Sequence, residues 1–242
     1  MRLQELEAQF GFDSDALRVR APLNDWSERL RSVCGGFTPV ARHHANEVTG
    51  GVLTRSQAGL RLVQVATDVD FVSRDSRSIR VDYSDHLFLL LQLEGVCGAD
   101  QFGRQNVIGP GDCILVDSAY PVKLSFEGRY SNHISVHLPR HPLVGDRADA
   151  VNIGVRLAAE DPLAGILRTL VAKIMRFDVD QPRGPQLRRL MLHAIKESFA
   201  AEAAQTLAVA PAGPAKRAAM AGMAGPGRSA RPFAADRAFL VR

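Results

Sequence analysis

"HLFLLLQLEG", residues 86–95, is apolar at odd and even positions alike. Consecutive side chains of an extended strand point to opposite faces, so such a run must be covered on two sides. The "LFLLL" at its centre is the longest apolar run of the chain, far short of the roughly 20 residues a membrane span needs. The segment therefore reads as a central strand of a layered domain.

Working outward, the period stays at two from about 51 to 138. "VLTRSQAGLRLVQVAT" (52–67) predicts two strands about a Gln-Ala-Gly turn. "GDCILVDS" (111–118), "VKLSFEG" (122–128) and "SNHISVHLP" (131–139) follow, separated by Gly, Pro, Asp and Ser. Short strands at such intervals predict a sandwich or barrel. In "SNHISVHLP" the alternation sets Ile134, Val136 and Leu138 against His133, Ser135 and His137. The apolar set is taken as the interior, leaving the histidines outward.

Beyond Pro142 the period becomes helical. "DPLAGILRTLVAKIMRF" (161–177) offers Asp161 as N-cap and Pro162 at the first helical position. "PQLRRLMLHAIKESFAAE" (185–202) repeats the amphipathic pattern, so 143–204 is expected to be a helical hairpin, capping the barrel or pairing with a second copy. Ahead of the strands, residues 1–48 read as a helical or irregular lead-in. There "NDWSERLRSVCGGF" (24–37) forms one helix capped by Asn24 or Asp25 and stopped at Gly35-Gly36, with Trp26 packed on the main body. Residues 205–242 are expected to be a disordered Ala/Gly/Pro-rich basic tail. Of 30 Lys+Arg and 26 Asp+Glu, residues 201–242 hold 6 and 2, which leaves 24 of each in residues 1–200. The alkaline balance is thus no argument that the folded part binds nucleic acid.

Chemistry-bearing motifs are sparse. A metal-holding barrel of the cupin kind presents two histidines one residue apart, a Glu soon after, and a third His beyond the glycine turn. Here "FLLLQL" precedes Glu94, and Ile114 stands in the third-histidine place after Gly111. His86 stands alone, and His43 and His44 have no nameable partner. No GxSxG elbow, Walker sequence or Rossmann fingerprint occurs. No catalytic residue, metal or cofactor is expected. The three cysteines, Cys34, Cys97 and Cys113, have neither disulfide-framework nor zinc spacing. They read as buried, reduced thiols in a cytoplasmic protein, and the acidic start "MRLQELEAQFGF" carries no export signal.

The barrel interior is then the candidate site. Phe88, Leu90 and Gln92 share a strand face, an apolar wall with one polar handle. The alternative for Gln92 is a bond to a neighbouring backbone group. Arg74, Arg77 and Arg80 in "SRDSRSIR" (73–80) either supply a carboxylate clamp at the mouth or form a solvated loop.

"LLLQLEG" (89–95), "FGRQNVIGPGDCILVDSAYPVKLSF" (102–126) and "HLPR" (137–140) together resemble the effector-binding domain of AraC/XylS-type transcription regulators, in the subgroup of the phenylethylamine-catabolism activator. The similarity runs from about Trp26 to Phe199. The resemblance implies a mainly β fold with α: a cupin-like jelly-roll barrel (49–142) that binds a small effector without metal, preceded by a short helix and followed by a helical pair through which subunits form a homodimer. Carried over residue by residue, Phe88, Gln92, Leu124 and Ile134 become effector-site candidates, beside Leu90 from the same strand face and Arg80 from the clamp reading. Leu163, Leu167, Leu170, Leu187, Met191 and Ile195 become the core of the helical pair, some at a dimer seam. The subgroup implies an aromatic amine, aldehyde or acid as effector. Such regulators continue into about a hundred residues with two helix-turn-helix units that read promoter DNA. After residue 200 only 42 of the 242 residues remain, and an Ala/Gly/Pro/Arg mixture is what a GC-rich gene yields out of frame. The expectation is a sensor domain whose DNA-binding half is lost by frameshift or truncation. The alternatives are a stand-alone barrel that antagonises an intact regulator by mixed dimerisation, or a cupin-type oxygenase or isomerase.

Overall fold

The double burial of residues 86–95 is met by three layers: a five-stranded sheet, a six-stranded sheet and a helical layer. The structure, a computed structural model, describes residues 3–11, 15–42, 45–82, 85–145, 151–176 and 182–200. The expected tail at 205–242 lies outside the described residues, as do His43 and His44.

The elements begin with α1 (Leu3–Phe10), β1 (Arg20–Pro22), α2 (Leu23–Cys34), β2 (Thr38–Val40), β3 (Glu47–Thr49), β4 (Gly51–Gln57), β5 (Leu60–Thr67), β6 (Phe71–Arg74) and α3 (Ser76–Val81). They continue with β7 (His86–Glu94), β8 (Cys97–Gln101), β9 (Arg104–Ile108), β10 (Cys113–Asp117), β11 (Val122–Ser125) and β12 (Ser131–Pro139). The chain then forms α4 (Arg140–Val144), β13 (Arg156–Leu157), α5 (Pro162–Met175) and α6 (Gly184–Ser198). One sheet runs β13-β10-β7-β12-β5-β4 and the other β2-β6-β11-β8-β9, with β1 and β3 as a separate pair. All pairings are antiparallel. Two such sheets closed face to face make the jelly roll, and β2 brings one strand of it from the lead-in segment.

β7 sits between β10 and β12, and its alternation divides the hydrophobic core in two. Phe88 and Leu90 face the inter-sheet interior with Val63, Val65, Ile114 and Leu124. Leu87, Leu89, Leu91 and Leu93 face the helices and pack with Leu6, Phe10, Leu167, Met191 and Ile195. The helical pair thus covers the outer face of the six-stranded sheet.

Local signals explain the joints. The β4–β5 hairpin turns through Ala58 and Gly59, both at positive φ, which matches a two-residue type I′ connection. The Gly-Pro-Gly-Asp turn (109–112) is held by its own last residue. The buried Asp112 accepts from Gly109 N at 2.8 Å and Ala159 N at 2.8 Å, and its carboxylate lies 2.8 Å from Arg156 Nε. That glycine-rich corner is structural. Asp161 caps α5 by accepting from Leu163 N at 2.8 Å, ahead of Pro162.

Three expectations are corrected. α2 starts at Leu23 behind Pro22, with no side-chain cap, so neither Asn24 nor Asp25 caps it. "SRDSRSIR" is not a loop: Arg74 ends β6, and Asp75 caps α3 by accepting from Ser78 N at 2.7 Å. β12 is inverted relative to the expectation. Ile134, Val136 and Leu138 pack in the helical-side cluster. His133, Ser135 and His137 are buried on the inter-sheet side, at 4%, 3% and 5% exposure. When both faces of a strand are covered, the more apolar face goes to whichever neighbour offers more apolar surface, and here that is the helix pair.

Candidate functional site

Between the sheets lies a small cavity closed at one end by α2. From α2 come Trp26, Leu30 and Cys34, and just beyond it Phe37. Phe88 and Leu90 of β7 and Leu124 of β11 form further wall, with Phe126 close by. The polar groups at the wall are Thr67, His133 and Ser135. The free volume is about 30 Å³, the share of one water molecule. Ring-sized ligands fill pockets of about 300 Å³ or more, so the space as it stands is too small for one.

The closing helix is fixed at both ends of its inner face. The Trp26 indole N–H donates to Ala66 O at 3.1 Å, tying the helix to β5. At the other end Gly35, at φ 88°, and Gly36 turn the chain against Asp82, whose Oδ2 accepts from Gly36 N. Arg74 completes this joint from a fully buried position, at 1% exposure. Its Nε donates to Ser118 O at 2.9 Å, one terminal nitrogen to Asp82 Oδ2 at 2.7 Å, and the other to Asp82 O at 2.8 Å. Every arm of the guanidinium is committed, so Arg74 is a strut. Arg77 and Arg80 lie exposed on α3. The proposed arginine clamp is therefore not assembled, and Arg80 stands apart from the cavity.

The histidines supply the site's polar character. His133 lies in the wall with Nδ1 lacking a hydrogen-bond partner, its ring stacked on Phe126 at 6.2 Å and 10°. Burial pushes its pKa down to about 4. His137, two periods of the alternation along, packs on Phe88 at 4.6 Å and lies 3.9 Å from Cys34 Sγ. Burial lowers it to about 3, with smaller contributions from His86 and Arg61. Both rings are neutral at pH 7.

The sequence-based candidates divide. Phe88, Leu90 and Leu124 come together in the wall. Gln92 is buried on the same strand face but outside the cavity wall; its amide donates to Glu94 O at 2.7 Å and Ser131 Oγ at 2.8 Å. Ile134 faces the helices. The helical candidates separate too: Leu167, Met191 and Ile195 are fully buried within the chain, and Leu163, Leu170 and Leu187 are half-buried. Ile166 and Leu190, at 50% and 55% exposure, stand out from the pair. His133 and Ser135 were missed. Their signal was present, because two amphipathic helices needed an apolar sheet face and β12 had only one to give. Among the described residues no cluster of three or more His, Cys, Asp or Glu could hold a metal ion. Among the described residues no helix is long and apolar enough to cross a membrane.

All three cysteines are buried, and burial pushes each pKa up to about 12. A rise from 9 to about 12 lowers the thiolate fraction at neutral pH about a thousandfold. Iodoacetamide is expected to leave the native protein unlabelled at pH 7 while alkylating all three thiols in denaturant, as mass spectrometry will read. Rapid native labelling of Cys34 would mean that α2 opens often.

Residues 26–212 match the family described as AraC-binding-like domain. Over 136 residues, 54% of this chain, the sequence is 27% identical to an uncharacterized protein in the nit 5' region of Bacillus sp. (strain OxB-1). The matched part spans about half of that relative, 52% of its length. Among solved structures, the AraC-like transcriptional activator CuxR matches with a TM-score of 0.57 and 17% identity, over 84% of this chain and 73% of that one. At that identity the likeness is one of fold.

Proposed function

Because the chain belongs to the AraC-binding-like domain family, we propose that it is the sensor domain of a transcription regulator that seats a small effector between its sheets and dimerises through its helical pair. The family and the fold point to a regulatory domain. The observation that carries the effector reading is the cavity behind α2, with aromatic walls and a buried histidine nitrogen that has no partner. A volume of about 30 Å³ makes binding conditional on displacement of its walls. α2 belongs to neither sheet, whereas strands β5, β7 and β12 are each paired on both sides. Effector entry is thereby linked to movement of Trp26 and Leu30.

A melting screen of small molecules against wild type and Leu124→Phe tests the seat. A ligand that binds only the folded state raises the melting temperature. Compounds that stabilise wild type but not Leu124→Phe, whose ring fills the space, are the expected result. If no stabilising compound responds to Leu124→Phe, the seat is not there.

Dimerisation rests on Ile166 and Leu190, which leave apolar surface on the outside of a pair whose inner face is already filled. Ile166→Glu with Leu190→Glu is expected to halve the mass measured by light scattering. The melting temperature of the isolated subunit should hardly change, since exposed substitutions alter stability by only about 0.5 kcal/mol. An unchanged mass in the double variant would move the interface elsewhere.

A further inference from the structure

We infer that the cavity takes an uncharged ligand, a single-ring molecule carrying a hydroxyl or carbonyl oxygen, with His133 as the group that meets that oxygen. The inference rests on the reading of this space as the effector seat and adds the chemical class of its occupant.

Charge decides it. Among the described residues, the cavity wall contains no Asp, Glu, Lys or Arg. Arg74 lies 6.0 Å from the Phe37 ring centre. Each of its three nitrogens donates, to Ser118 O or to Asp82. Arg61 is exposed to solvent and is not part of the wall. An ionised carboxylate or ammonium entering this space would exchange water for apolar surface with no counter-ion. The effective penalty for an unpaired buried ion is several kcal/mol, so an ion of the same shape should bind at least about 100-fold more weakly.

Shape and the polar handle narrow the class further. Trp26, Phe37, Phe88 and Phe126 give the space flat aromatic walls, which favour a ring as occupant. His133 Nδ1 is buried and unpartnered at that wall. A neutral imidazole has one donor and one acceptor nitrogen. A hydroxyl satisfies Nδ1 in either tautomer, and a carbonyl satisfies it when Nδ1 carries the proton. Ser135, beside it on the same strand face, adds a hydroxyl that adapts to either. Burying a polar atom without a bond is costly, so a ligand that meets Nδ1 gains on both sides of the contact.

The test is a matched series on the full chain at neutral pH: 2-phenylethanol, phenylacetate and 2-phenylethylammonium, which share a ring and differ in the head group. Trp26 is the one tryptophan of the chain and lies in the wall, so its fluorescence reports occupancy. The expected result is that 2-phenylethanol acts at a concentration at least about 100-fold lower than either ion. Leu124→Phe should abolish its effect, and His133→Phe should weaken it about fivefold to tenfold, the worth of one hydrogen bond. Binding of phenylacetate or 2-phenylethylammonium as tight as that of the alcohol, and lost in Leu124→Phe, overturns the uncharged class while leaving the seat intact. Signals from all three that ignore Leu124→Phe overturn the seat, and the inference with it. Ser135→Val, a smaller change in the same wall, replaces Leu124→Phe as the site control if the latter melts early.

Discussion

Arg74→Met is expected to lower the melting temperature by about 10 °C. The side chain is wholly buried and holds three acceptors at once: Ser118 O, Asp82 O and Asp82 Oδ2. Methionine fills much of the volume but leaves two backbone carbonyls and a carboxylate facing apolar carbon. Breaking a buried ion pair by removing one partner costs about 3–5 kcal/mol. Asp82 keeps some access to water, at 32% side-chain exposure, which places the expectation near the lower end. For a protein of this size each kcal/mol shifts the midpoint by about 2–4 °C. Arg74→Lys restores the charge but not the fork, so it should recover less than half of the loss. A variant that melts like wild type would mean that the joint between α2, β6 and α3 is held by packing alone.

The second large effect is on pH dependence. His133 and His137 have folded pKa values lowered to about 4 and about 3 by burial. An unfolded histidine titrates near 6.5. The unfolded chain therefore binds protons first as the solution is acidified. Stability is fully present above about pH 6.5 and is lost as pH falls from there toward 4. Each group contributes on the order of 3 kcal/mol across that window. Together they rival the whole stability of a typical domain, about 5–15 kcal/mol. Denaturant unfolding between pH 8 and 4.5 should show a plateau that breaks near 6.5, and His133→Gln with His137→Gln should flatten the break. Asp75, lowered by its α3 capping bond to Ser78, acts only below about pH 4 and falls outside this window. A curve that stays level to pH 5 would mean that the two rings have polar partners.

How far the sequence was legible follows from how local each signal was. The double-faced run at 86–95 needed cover on two sides and received it, because alternation within one strand carries that information. Asp161-Pro162 opened a helix as expected, since a cap and a first turn are decided within a few residues. The inward histidines were not legible in the same way. Residues 131–139 alternate cleanly, and the usual inference sends polar side chains to water. Here neither face meets water, so the pattern distinguishes two interiors and carries no label for which is which. Arg74 hid for a similar reason. Its neighbours Asp75 and Arg77 are exposed, and its burial depends on Asp82, eight residues on and beyond a helix turn. The parity it shares with Val72 in β6 was the available clue. Phe88, Leu90 and Leu124 share the inter-sheet wall because strand parity and apolarity coincide there. Ile134 failed on the same rule that misplaced the histidines.

β12 gives the molecule a party wall. Every second side chain belongs to the room between the sheets, and the rest belong to the room under the helices, where Ile134 and Val136 abut the same cluster as Leu167 and Met191. Interiors packed at crystal-like density yield very little when pressed. A displacement of His133 would therefore bear, through one thickness of backbone, on the side chains packed beneath α5 and α6.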